Sequence, residues 1–214
     1  MKGARNILFW GAAWGVLEAT LGWGLHLIHF KGEALVLYPF GLACMMAAAR
    51  QCGTLSMSRV ALQVAAVAAL IKLVNLFTWP GVPAYYVTNP AVAIFLEGLV
   101  TFVFCKIVER RTTSIPSPVG GMWMAFILIL GSFAAFKGWQ ITMDTLTTYN
   151  PDAHLFMSKG MMWTWIWRSA VQALMLVAAV RIALQWTPSE RWQLQTARWS
   201  LPILVVAVFA TIYL

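Results

Sequence analysis

The chain has 214 residues, of which 61% are hydrophobic and only 10% charged, whereas a water-soluble domain carries about a quarter charged residues to cover its surface. A soluble globular fold is thereby excluded. The formal net charge of +8 would point a soluble protein toward nucleic acid, but here the basic residues lie between apolar stretches, where membrane topology accounts for them and no nucleic-acid partner is implied.

The chain opens with Lys2 and Arg5 ahead of an apolar run, as a secretory signal does. No small-residue cleavage site follows at a suitable distance, so this stretch is expected to remain as a first span over about 6–30. Apolar runs bounded by charge, Gly and Pro predict further spans over about 34–50, 58–78, 90–108, 119–146 and 161–186. Most approach the roughly 20 residues that cross about 30 Å of hydrocarbon. Then Thr187-Pro188-Ser189-Glu190 reads as an N-cap, a proline at the first helical position and a capping-box acid, which would begin a short interfacial helix. Trp192 and Trp199 read as anchors at headgroup level, and a short seventh span over about 199–214 carries Pro202. The expected fold is an all-α polytopic transmembrane helix bundle of six to seven spans. Residues 1–186 form a six-helix unit, and 187–214 the interfacial helix and seventh span.

Charge sets the orientation. With the N-terminus in the cytoplasm, Lys2, Arg5, Arg50, Arg59, Lys106, Arg110, Arg111, Arg181, Arg191 and Arg198 fall inside and only Lys31 and Lys159 outside, which is the bias the positive-inside rule requires. The expected location is the cytoplasmic (inner) membrane, as a multi-pass protein. Cys44, Cys52 and Cys105 then lie near cytoplasmic ends, where thiols stay reduced, and read as packing residues.

Glu18, Lys72, Glu97, Lys137 and Arg168 fall inside predicted spans, where a charge at mid-helix costs about 2.5–3.5 kcal/mol even on the lenient insertion scale. They must pair, face water or bind something. With Asp144, the set holds three acids and three bases. Helical spacing assigns the faces. Gly11, Gly15, Glu18, Gly22, His26 and His29 share one stripe of the first span, small residues in its cytoplasmic half and polar ones in its outer half. Lys137, Gln140 and Asp144 share a face, as do Lys72 with Asn75, Asn89 with Glu97, and Arg168 with Gln172. Counted from the loops, these residues gather at mid-depth and outward, which describes a site loaded from outside.

The stretch Thr78–Asn89, with two prolines and the Tyr85-Tyr86 pair, reads as a stiff cap over that site, and Trp139, Trp163, Trp167, Tyr85 and Tyr86 as rings that would stack on a flat ligand. Interfacial aromatic belts explain the same rings, and buried ion pairs that merely orient helices explain the same charges. A metal site from His26, His29 and His154, with Met143, Met157, Met161 and Met162 at similar depth, is a weaker alternative suited to copper or zinc. The signatures of zinc hydrolases, serine hydrolases and Walker-type nucleotide hydrolases are missing from the sequence. No catalytic role and no cofactor are assigned.

In layout the chain resembles the substrate-binding S components of energy-coupling factor (ECF) transporters. These are small membrane proteins, usually of six helices, with a pocket in the outer half capped by loops. Gly11, Ala12, Gly15 and Ala19 are similar to the small-residue surface through which S components dock on a coupling transmembrane subunit, and Thr78–Asn89 is similar to a capping loop. The resemblance covers residues 1 to 186. It implies that the chain hydrolyses nothing, that a coupling subunit and two ATPases are partners, and that the whole component tilts to release ligand inside. The seventh span has no counterpart there.

The leading expectation is thus an uptake component in membrane lipid that binds a small molecule or ion in the outer half of the bilayer. The substrate-binding set comprises Glu18, His26, Lys72, Asn75, Tyr85, Tyr86, Asn89, Glu97, Lys137, Gln140, Asp144, Trp163, Trp167 and Arg168. The alternatives are a non-catalytic scaffold subunit of a larger membrane complex, or a membrane-embedded enzyme acting on a lipid or quinone through Glu18 or Glu97.

Overall fold

The computed structural model describes residues 2–30, 32–53, 55–78, 84–110, 117–147 and 159–213, except for the side chains of His26, Glu33, Ala34, 144–147 and Lys159. Among the described residues every regular element is a helix. In hydrocarbon there is no water to satisfy backbone N–H and C=O groups, and a helix pairs them within one segment. Helix α1 (Lys2–Leu17) runs into a π-helical turn (Glu18–Gly22) and on into α2 (Trp23–Leu27). Then come α3 (Glu33–Gln51), α4 (Met57–Leu73), α5 (Asn75–Thr78), α6 (Tyr85–Arg110), α7 (Pro118–Thr147), α8 (Lys159–Gln185) and α9 (Glu190–Tyr213).

Five stretches are long and apolar enough to cross a membrane: Met57–Thr78, Tyr85–Arg110, Pro118–Met143, Gly160–Gln185 and Glu190–Tyr213. A shorter apolar helix, Leu35–Gln51, and the α1–α2 rod complete a multi-pass bundle.

Local chemistry sets the ends. Ser56 caps α4 by accepting from the Arg59 backbone N–H at 3.4 Å, and Ser117 caps α7 by accepting from that of Gly120 at 3.1 Å, with Pro118 in the first helical position. Past the end of α3, Gly53 takes φ +38°, a left-handed conformation that costs glycine little. The start of α9 differs from expectation. Its cap is Ser189, whose hydroxyl accepts from the Trp192 N–H at 3.4 Å, and the helix then runs unbroken through Pro202. A separate interfacial helix does not form, because a single 24-residue helix runs across the whole stretch. The first span is likewise interrupted by the π turn at Glu18, and the third by a break at Val74.

One end of the bundle is tied by polar side chains. Ser58, at the start of α4, donates its N–H and hydroxyl to the Glu109 carboxylate at the end of α6, at 3.0 and 2.8 Å. Arg50 Nε donates to the Trp186 carbonyl beyond α8 at 2.8 Å, and the Thr196 hydroxyl of α9 lies 2.8 Å from Gln51 Oε1 and 3.1 Å from Asn6 Oδ1. The starts of α1, α4 and α9 and the ends of α3, α6 and α8 therefore share one face, which also carries most of the basic side chains. It is called the basic end below.

Helix α4 is the central pillar, packed on α1, α3 and α6. Its Val60, Ala61, Val64, Ala65 and Ala68 are fully buried. Small residues let backbones approach closely, the main source of helix affinity in lipid. A methyl group at Gly98 of α6 would overlap the Ala65 side chain, and one at Gly11 of α1 would meet Val67 at 2.6 Å.

Candidate functional site

The polar residues expected in the outer half divide into a group that lines a cavity and a pair, Glu18 and Lys72, that does not, with Glu18 still close enough to act electrostatically on Glu97. The larger group lines an open-sided cavity of about 560 Å³ between α3, α6, α7 and α8, within the range of small-molecule sites. Glu97 comes from α6, Lys137 and Gln140 from α7, and Arg168 and Gln172 from α8.

Depth follows from helix rise. At ~1.5 Å per residue, Glu97 lies ~18 Å below the start of α6, Arg168 ~14 Å below the start of α8 and Lys137 ~15 Å before the end of α7. All three distances are measured from the end opposite the basic one, so each charge lies well inside its span and away from both helix ends. Lys137 is only 4% exposed and Gln172 3%. The Arg168 guanidinium lies 5.7 Å from the Trp167 ring centre, at the rim of the cavity. Below and beside the charges the wall is apolar. Phe133 and Trp165 stack at 6.2 Å between centroids with 20° between planes, and Phe136 adds a third ring.

Several lining residues were not anticipated from the sequence, among them Tyr38, Phe133, Phe136 and Trp165. Tyr38 is 2% exposed, and its hydroxyl has no hydrogen-bond partner among the described residues. The aromatic assignment on α8 needs correction. Trp163 is 68% exposed and Trp167 38%, and neither lines the cavity. In the run Trp163-Thr164-Trp165-Ile166-Trp167, only Trp165 and Thr164 stand three and four residues before Arg168, which is the spacing that puts side chains on one helix face.

The second group sits between α1 and α4. The Trp14 indole N–H donates to Glu18 at 3.2 Å, and Glu18 is the charge closest in effect to Lys72. Trp14 is fully buried against Gly41 of α3, where an added methyl would meet its ring at 2.5 Å. Neither Glu18 nor Lys72 lines the cavity, contrary to the expectation of one converging set. The reason is packing. The Gly11/Gly15 stripe seats α1 directly on α4, which turns Glu18 toward Lys72.

That same seating changes the reading of the docking stripe. Gly11 faces Val67, Gly15 faces Ile71, and Ala12 and Ala19 are buried, so α4 fills the surface that resembled a docking face for another subunit. Asn75 is buried and accepts from the Thr78 hydroxyl at 3.4 Å. Asn89 accepts from the Trp139 indole at 3.1 Å and so ties α6 to α7 near the rim. Tyr85 and Tyr86 pack on each other at 4.4 Å outside the cavity lining, with Tyr86 half exposed. The central part of the expected cap, residues 79–83, lies outside the described residues, as do His154, Met157 and the side chains of His26 and Asp144.

His29 has φ +53°, and its Nδ1 lies 3.2 Å from the Leu27 carbonyl, a local contact that closes α2. Among the described residues no group of three His, Cys, Asp or Glu side chains is placed to hold a metal ion. Comparison with protein-family models, with curated proteins and with solved structures finds no match to this chain.

Proposed function

We propose that this multi-pass membrane protein is a solute-binding component for uptake, taking a small organic anion with a flat apolar part into the cavity between α3, α6, α7 and α8. One observation carries the reading. Two basic residues, an acid and four aromatic rings, drawn from four helices, line a single cavity within the apolar spans. A bundle that needed charges only to orient its helices would have no use for a volume of that size beside them. Lys137 and Arg168 supply donors for an anionic group, and Phe133, Phe136 and Trp165 supply flat surface for the remainder.

With the basic end in the cytoplasm, as the positive-inside rule favours, the cavity lies in the outer half of the bilayer and loads from outside. Coupling partners of the kind the S-component resemblance implies would dock elsewhere than on Gly11 and Gly15, which α4 occupies.

Native mass spectrometry of gently solubilised protein tests the proposal. The wild type should retain a small molecule that Lys137→Met and Arg168→Met both release, with all three proteins unfolding at similar temperatures. Retention by both variants would overturn the assignment of the site. A wild type that carries no solute but copurifies with a fixed set of other membrane subunits would replace it with the scaffold reading.

A further inference from the structure

The chemistry of the occupant can be narrowed further, on the basis of the proposed reading of the cavity. The four helices close a ring in the order α3, α6, α7, α8, each packed on the next and α8 on α3. Tyr38 and Glu97 therefore occupy two adjoining walls, and Lys137 and Arg168 the two walls facing them.

The Tyr38 hydroxyl is the informative atom. It is buried, it belongs to a residue that lines the cavity, and it has no hydrogen-bond partner among the described residues. Buried polar groups are nearly always satisfied, so an orphan at a cavity wall points to a partner that arrives with the ligand. Glu97 is close enough to act on Tyr38 electrostatically, yet the two are not hydrogen-bonded. The space between them suits a group with several N–H donors and a positive charge, which would give one hydrogen bond to the phenol oxygen and one to the carboxylate.

The geometry points to a zwitterion with separated poles: an anionic group held by Lys137 and Arg168, an ammonium bridging Tyr38 and Glu97, and a flat apolar body between them against Phe133, Phe136 and Trp165. A simple organic acid would leave the Tyr38 hydroxyl unsatisfied and bring no donor to Glu97. A simple amine would bring no acceptor to Lys137 and Arg168.

Three probes built on one ring separate these cases: 4-(aminomethyl)benzoate, which has both poles, 4-ethylbenzoate, which lacks the amine, and 4-methylbenzylamine, which lacks the acid. Calorimetric titration of the full chain in lipid nanodiscs should give the zwitterion at least about tenfold tighter binding than either single-pole probe, as expected for a charge-assisted hydrogen bond gained at each end. Tyr38→Phe and Glu97→Gln should each weaken 4-(aminomethyl)benzoate by about tenfold or more and 4-ethylbenzoate far less. Lys137→Met should weaken both. Equal affinity of the wild type for 4-(aminomethyl)benzoate and 4-ethylbenzoate overturns the zwitterion assignment and leaves the organic-anion reading standing. Failure of all three probes, with another molecule retained in the native mass spectrum, overturns the zwitterion assignment alone. Failure of all three with nothing retained overturns both.

Discussion

The indole N–H of Trp139 on α7 donates to the side-chain oxygen of Asn89 on α6 at 3.1 Å. This bond joins two walls of the cavity about 3 Å along α7 from Lys137, since Trp139 stands two residues after it. Trp139→Phe keeps an aromatic side chain but removes the donor and one of the two fused rings, at a net cost of about 1 kcal/mol for the hydrogen bond, with lost packing in addition. The expected result is a small fall in the thermal unfolding midpoint in detergent. Retained solute should be lost more readily, because the α6–α7 wall is less firmly held.

The contact of Gly98 with Ala65 is a sharper test of the pillar. Gly98→Ala places a methyl group into the Ala65 side chain, and overpacking of this kind costs about 1–3 kcal/mol. The single variant should unfold at lower temperature and accumulate less in the membrane. The double variant Gly98→Ala with Ala65→Gly should recover most of the loss, as measured by detergent thermal shift. No recovery would mean that α4 and α6 do not meet at this pair.

At the basic end the Thr196 hydroxyl has a single proton, and its shortest acceptor is Gln51 Oε1 at 2.8 Å. Thr196→Val removes that donor from a buried site, where an orphaned acceptor costs about 1–3 kcal/mol, although the Trp10 indole still reaches Gln51 at 3.1 Å. Thr196→Ser should remain close to wild type. Urea unfolding of the two variants side by side separates the loss of the hydroxyl from the change in shape.

Cys52 lies just past the end of α3, outside the spans, and burial pushes its thiol from 9.0 up to about 11. Its Sγ also donates to the Gly3 carbonyl at 3.3 Å, which favours the protonated form. Since the thiolate is the nucleophile, a maleimide at neutral pH should label Cys52 far more slowly in the folded protein than in the unfolded chain. The rate should keep rising beyond pH 9.0 toward about 11. Because the folded thiol holds its proton to higher pH than the unfolded one, this group's contribution to stability is intact below pH 9.0 and declines between there and about 11. Fast labelling at pH 7 that equals that of the unfolded chain would contradict this burial.

Much of this architecture was legible from polarity alone. Apolar runs bounded by charge placed the first six spans to within about five residues, because a segment in lipid has little choice but to be helical, while the last helix begins at Glu190, well before the expected span. Helical spacing also brought Lys137 together with Gln140, and Arg168 with Gln172, and the structure places all four on the cavity. What the sequence did not disclose depended on how helices pack. Tyr38 sits in an unbroken apolar stretch, Ala34-Leu35-Val36-Leu37-Tyr38-Pro39-Phe40, where a phenol looks like one more interfacial ring. Glu18 and Lys72 share the depth of the cavity residues, but depth does not fix azimuth. The rotation that turns them away comes from the seating of Gly11 on Val67. Trp165 was readable from its three-residue offset to Arg168, a signal obscured by the two flanking indoles.

The placement of α4 has one more consequence. The pillar binds α1, α3 and α6 through small buried residues, whereas among the described residues α7 and α8 meet the remainder mainly along α3 and α6, and α7 is the least buried of the long helices. The chamber is thus a seam between a dense block and a thin outer leaf. A change in the spacing of that leaf would alter the chamber's volume and leave the interlocked glycine and alanine contacts of the block unstrained.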